Sequence, residues 1–141
     1  MKKFHLLTIL IILTLGLAVY TTQPVSALPQ LPSSFWGTVM LNGSPVPAGT
    51  TISARINGVE YGHTTTILDA GVAWYAMDVP GDDPEASGTQ GGVEGDTIVF
   101  FIGSIQAAQT GIWHTGTNVV LNLTGSGTLP GFTIFLPFVR R

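Results

Sequence analysis

Thr51-Ile52-Ser53-Ala54-Arg55-Ile56-Asn57-Gly58-Val59-Glu60-Tyr61-Gly62-His63-Thr64-Thr65-Thr66-Ile67 decides how this chain is built. Residues 51–56 and 59–67 are rich in side chains that favour strands, and Asn57-Gly58 lies between them. Both turn residues accept the positive φ of a two-residue hairpin, so the stretch reads as two antiparallel strands and a tight turn. The same pattern extends outward in both directions. Upstream, residues 34–41 alternate Phe35, Gly37, Val39 and Leu41 against Trp36, Thr38 and Met40, the period of a half-buried strand. Asn42-Gly43 follows, and Pro45 and Pro47 are expected to forbid immediate re-entry into a ladder. Downstream, residues 71–79 set Tyr75, Met77 and Val79 inward against Trp74, Ala76 and Asp78, and Pro80-Gly81 ends the run. Residues 97–102 are apolar on both faces, as in a central strand. Residues 104–114 alternate again, with a bulge expected near Gly111, and residues 118–124 form the last run.

About seven such runs, separated by turn signals and free of helical periodicity, predict an all-β, two-sheet sandwich of immunoglobulin-like type. Gly, Pro and β-branched residues interrupt every window in which a helix would fit.

The N-terminus has another character. Lys2 and Lys3, the apolar run 6–20 and the small residues Val25-Ser26-Ala27 form the order of a secretory signal peptide, residues 1–27. The apolar run falls short of the roughly 20 residues a helix needs to cross a bilayer; an uncleaved N-terminal anchor is the other reading. Either way the remainder is expected outside the cytoplasm, secreted or at the cell surface. A Pro-rich lead-in, residues 28–33, precedes the sandwich domain, residues 34–124. Residues 125–131 read as a Gly/Ser linker, and residues 132–141 as an apolar tail capped by Arg140 and Arg141.

Beyond residue 27 the charged residues are Arg55, Arg140 and Arg141 against eight carboxylates, a net charge of −5. Nucleic-acid binding draws on clustered Lys and Arg, which are missing, so that class is excluded. Cysteine is absent, which removes disulfides and lipid attachment through an N-terminal Cys. A chain that is 45% hydrophobic and 9% charged must close on its apolar core alone.

Gly37-x-Val39, followed by Asn42-Gly43-x-Pro45-Val46-Pro47-Ala48-Gly49-Thr50-x-Ile52-x-Ala54, resembles the opening of carboxypeptidase regulatory-like domains. Gly71-x-x-x-Tyr75-x-x-Asp78-Val79-Pro80 and Gly95-Asp96-x-Ile98-x-Phe100 are similar to the later signatures of that group. The resemblance, over about residues 35–123, implies a seven-stranded prealbumin-like sandwich, also seen in Cna protein B-type repeats of bacterial surface proteins. Its motifs are turn and core residues, so they speak for fold more than function. Many B-type repeats carry a Lys–Asn or Lys–Asp isopeptide bond. That crosslink cannot form in residues 28–141, which contain no lysine. The resemblance implies no peptidase activity, because in that family the module accompanies a separate zinc-bearing domain.

Catalytic sets are missing from the sequence. Cys is absent, Lys is confined to the leader, and there is no Gly-x-Ser-x-Gly elbow. His63 and His114 have neither the number nor the spacing of a zinc site and read as ordinary polar strand residues. No enzyme is expected. Residues 78–96 stand out, with six of the eight carboxylates and five glycines. Calcium takes roughly six to eight oxygens, which a flexible acidic loop supplies, and Asp82, Asp83, Glu94 and Asp96 are the candidate ligands. A plainly solvated loop is the competing reading, and no other cofactor is expected.

Strand parity turns Trp36, Met40 and Trp74 outward, where indoles stack on sugar rings or anchor protein partners. Trp36 and Trp74 are therefore the candidate ligand-binding residues, while Trp113 is expected at least partly in the core. Membrane contact is expected only through the leader or the tail, and the tail reads either as an added edge strand or as a sorting or docking tag. Together these point to an exported, non-catalytic module in cell-surface adhesion, matrix or envelope assembly, with a surface protein or glycan as partner. A carbohydrate-binding module, aided by calcium, is the alternative.

Overall fold

The structure, a computed structural model, describes residues 30–130, so the expected leader and tail lie outside the described residues. Among the described residues the chain is all-β, with no helix and two sheets facing each other. The strands are β1 (Ser33–Leu41), β2 (Ser44–Pro45), β3 (Thr51–Ile56), β4 (Val59–Thr65), β5 (Ile67–Asp69), β6 (Val72–Val79), β7 (Thr97–Ile102), β8 (Ile105–Ile112), β9 (Asn118–Val120) and β10 (Leu123–Gly125).

One sheet runs β10-β1-β6-β5, with β2 and β9 also paired to β1; the other runs β4-β3-β7-β8. Asn57 and Gly58 have φ of 51° and 83°, the left-handed pair that lets β3 fold back on β4 in two residues. Parity then fills the space between the sheets. Phe35, Val39, Tyr75, Met77 and Val79 point in from one side; Ile52, Ala54, Ile98, Phe100 and Ile102 point in from the other. Phe100 is the centre of this layer. Its ring meets Phe35 edge-on at 5.2 Å and Tyr75 at 6.4 Å, the perpendicular geometry that aromatic quadrupoles favour.

The strands outnumber the runs read from the sequence, for local reasons. Residues 59–67 divide at Thr66, whose Oγ1 donates to the Pro47 carbonyl at 2.7 Å and turns the chain from β4 into β5 in the opposite sheet. Residues 118–124 divide at Leu121-Asn122. There the Asn122 side-chain oxygen accepts from the Thr38 amide at 3.0 Å, and the Leu121 carbonyl accepts from the Tyr75 hydroxyl at 2.8 Å. Both resulting strands lie parallel to β1. Re-entry after Asn42-Gly43 is not forbidden, as Ser44–Pro45 pairs with Met40 and Leu41. The irregularity in β8 lies opposite Phe100, where Val99 pairs Thr110 and Phe101 pairs Gln106; Gly111 itself stays in register with Ile98. Three β8 residues thus face one residue of β7, a bulge earlier than the sequence indicated.

Residues 125–130 belong to the domain. Gly125 ends β10, Asn42 Nδ2 donates to the Gly127 carbonyl at 2.7 Å, and the Gly127 amide donates to Asn42 Oδ1 at 3.0 Å. Leu129 is buried. A Gly/Ser composition usually marks a linker, but here the asparagine side chain supplies both hydrogen bonds that would otherwise go to water.

Candidate functional site

The outer face of the β10-β1-β6-β5 sheet carries the largest apolar side chains left outside the core. In the β1–β6 register Thr38 lies opposite Trp74 and Trp36 opposite Ala76, so the two tryptophans are diagonal neighbours on one face. Their rings stack at a centroid distance of 6.4 Å with 26° between planes. The row continues both ways, because Val120 of β9 pairs with Trp36 and Ile67 of β5 pairs with Trp74. Val120, Trp36, Trp74 and Ile67 thus cross four strands in line. Ile67 is 65% exposed, Val120 58% and Trp36 41%, while Met40 adds a further exposed side chain on the same face of β1.

Beside this row lies an open groove of about 410 Å³, lined by Trp36, Ile67, Trp74 and Ala76 with Thr64 and Thr65 at its border. At the far end of the face the Ser34 hydroxyl donates to Asp78 Oδ1 at 2.5 Å. The face offers flat aromatic and branched aliphatic surface with hydroxyls at one border and a carboxylate at one end. Trp36 and Trp74 were legible as outward residues by parity. Ile67 and Val120 were not, because β5 and β9 emerge only from splits in longer runs.

Trp113 is fully buried, and its place explains the acidic segment. Its Nε1 donates to the Val79 carbonyl at 3.0 Å, and its ring lies against Gly81 and Gly92. Those two glycines bridge in parallel: the Asp82 amide donates to the Gly92 carbonyl, and the Gly92 amide to the Pro80 carbonyl, both at 2.9 Å. The Trp113 amide donates to the Asp96 carbonyl at 2.8 Å, and the Gly95 amide to the Trp113 carbonyl at 3.0 Å. The loop is therefore pinned across one indole at both of its feet.

Its carboxylates do not converge. Asp82 Oδ1 accepts from the Gln90 amide at 2.7 Å, Asp83 Oδ1 from the Glu85 amide at 3.0 Å, and Asp96 Oδ2 from the Val93 amide at 3.0 Å. Glu94 takes His114 Nδ1 on one oxygen and the Thr115 amide on the other at 3.3 Å. Among the described residues no three His, Asp or Glu side chains gather in a metal-holding group. Short acidic side chains in a Gly-rich loop reach the nearest amides first, and this sends Asp82, Asp83, Glu94 and Asp96 to separate partners. The hydrogen bond from His114 holds the Glu94 carboxyl below the usual carboxylate range, with the Thr115 amide assisting.

His63 lies on β4, 3.3 Å from Glu60, whereas His114 follows β8. As β4 and β8 are opposite edges of one sheet, three strand spacings of ~4.8 Å keep the two rings roughly 14 Å or more apart. They do not form one site. Arg55, the one Lys or Arg among the described residues, lies over the Phe101 ring at 4.4 Å and 3.7 Å from Glu60.

Compared with known proteins, the chain matches no family model, no curated protein and no solved structure.

Proposed function

We propose that this chain is an exported, non-catalytic β-sandwich module that works in cell-surface adhesion, matrix or envelope assembly, with the Trp36–Trp74 face as its contact surface. The observation that carries the reading is the apolar row Val120, Trp36, Trp74 and Ile67 on an otherwise strongly acidic domain. Exposed apolar surface concentrated in one patch marks a docking site, since scattered exposure needs no such alignment. Indoles anchor such contacts because they bury large area at small entropic cost. The immunoglobulin-like, prealbumin-like relationship and the carboxypeptidase regulatory-like resemblance belong to this reading too. They accord with a sandwich whose motifs fall on turns and core positions.

The test is co-sedimentation of the purified chain with envelope fractions of the producing cell. Parent chain in the pellet, and Trp36→Ala/Trp74→Ala chain in the supernatant, is the expected result. Equal partition of the two chains would refute the reading.

Carbohydrate binding is the second reading, supported by the Thr64 and Thr65 hydroxyls beside the indoles. A glycan array on which the parent chain binds and the double variant does not would favour it over a protein partner.

A further inference from the structure

We propose that the partner of the Trp36–Trp74 face is an extended polypeptide segment carrying two cationic side chains, Lys or Arg, about six residues apart. The inference rests on the reading of that face as a docking site and names the chemistry of what docks there.

It starts from where the carboxylates stand. Trp36 lies opposite Ala76 and Ser34 opposite Asp78, so Asp78 is a diagonal neighbour of Trp36 on the same face. Across the next strand pair Trp74 lies opposite Ile67 and Val72 opposite Asp69, so Asp69 is a diagonal neighbour of Trp74. Each indole therefore has one carboxylate beside it on an adjacent strand. Along the strand direction the order is Asp78, Trp36, Trp74, Asp69, and acid closes both ends of the aromatic pair.

Both carboxylates are exposed and have capacity to spare. The Ser34 hydroxyl occupies Oδ1 of Asp78, which leaves Oδ2 without a hydrogen bond among the described residues. The Asp69 carboxylate has neither a hydrogen bond nor an ion pair among them. Nor does the sheet neutralise them itself, because none of its strands contains Lys, Arg or His. Arg55 belongs to β3 of the opposite sheet, where it meets Phe101 and Glu60.

An indole face attracts a cation through its quadrupole, and a carboxylate alongside adds a charged acceptor. Such a pair selects an ammonium or guanidinium over a neutral or anionic group. The two pairs are set apart by the stretch of β6 from Asp78 to Val72, roughly 20 Å at ~3.3 Å per residue. A single small cation fills one of them, whereas an extended chain bridges both and turns alternate side chains to one face. Its two intervening side chains would rest on the groove lined by Trp36, Trp74 and Ala76 and are therefore apolar. An anionic lipid surface is repelled by the same carboxylates.

Fluorescence anisotropy of short labelled peptides, titrated with the purified chain, tests this. One peptide carries lysines at its first and seventh positions and valines at its third and fifth; a second replaces both lysines by glutamate. The lysine peptide should bind, more weakly in about 0.5 M salt, and the glutamate peptide should not. Asp69→Asn and Asp78→Asn should each weaken binding about threefold, the usual scale of one exposed charge pair. Trp36→Ala/Trp74→Ala should abolish it. Equal affinity for the two peptides, binding of neither, or an affinity unchanged in the Asp69→Asn/Asp78→Asn chain would overturn the proposal. So would a neutral glycan bound equally by that chain and the parent. The two readings fail separately. If envelope co-sedimentation needs the tryptophans but neither aspartate, the docking surface stands and its cationic partner falls. If the lysine peptide binds through all four residues while no chain sediments with envelope, the partner chemistry stands and the envelope role falls.

Discussion

Gly92 lies so close to Trp113 that a Cβ on it would come within 2.5 Å of the indole ring. Ring and backbone fit as one unit, and that contact fixes where the acidic loop begins and ends. Gly92→Ala should therefore force the ring or the loop to move and destabilise the domain by about 1–3 kcal/mol. Trp113→Ala should cost more, about 3–5 kcal/mol, through the cavity and the lost donor to Val79. Urea unfolding followed by circular dichroism measures both, and a Gly92→Ala midpoint equal to the parent's would show that the contact is soft.

Tyr75 contributes to a pH limit. Burial raises its phenol above the ordinary value of 10.0, since the charged phenolate is disfavoured between the sheets. The unfolded chain loses the proton first as pH rises, so Tyr75's contribution is intact below about pH 10 and declines above it. Tyr75→Phe removes the hydrogen bond to Leu121, at a cost of about 1 kcal/mol near neutrality, but should flatten the alkaline decline. Melting temperatures from pH 7 to 11 separate the two effects.

Asn42 holds residues 125–130 through a reciprocal pair of hydrogen bonds with Gly127. It also occupies φ 52°, where a glycine is unstrained and an alanine is not. Asn42→Gly isolates the hydrogen bonds and should cost about 1–3 kcal/mol for the pair, while Asn42→Ala should cost more. Faster hydrogen exchange at the Gly127 amide in both variants is the direct readout; unchanged protection would contradict the clamp.

Glu94 should titrate below an ordinary glutamate because His114 and the Thr115 amide bind its charged form. The sign follows: its contribution is present above the unfolded carboxyl pKa and is lost as pH falls through the depressed folded value. In carboxyl-detected NMR, His114→Ala should move the Glu94 midpoint upward. A midpoint that stays in place would mean the pair does not form in solution.

Much of the fold was legible because side-chain alternation and turn chemistry are local. Asn57-Gly58 announced the β3–β4 hairpin, and the parity of residues 34–41 and 71–79 told inside from outside. The splits at Thr66 and Leu121-Asn122 were not legible. Each depends on a partner distant in sequence: Pro47 for the first, Thr38 and Tyr75 for the second. The same holds for residues 125–130, whose composition marks a linker until Asn42 is found beside them.

The sequence alone determined that this chain builds strands and which faces of the longer ones avoid water, since a period of two is written into the order of residues. Tertiary structure alone decided that Val120, Trp36, Trp74 and Ile67 form one row. Strand order and register are set by pairings between segments far apart, and no local pattern encodes which strand becomes a neighbour.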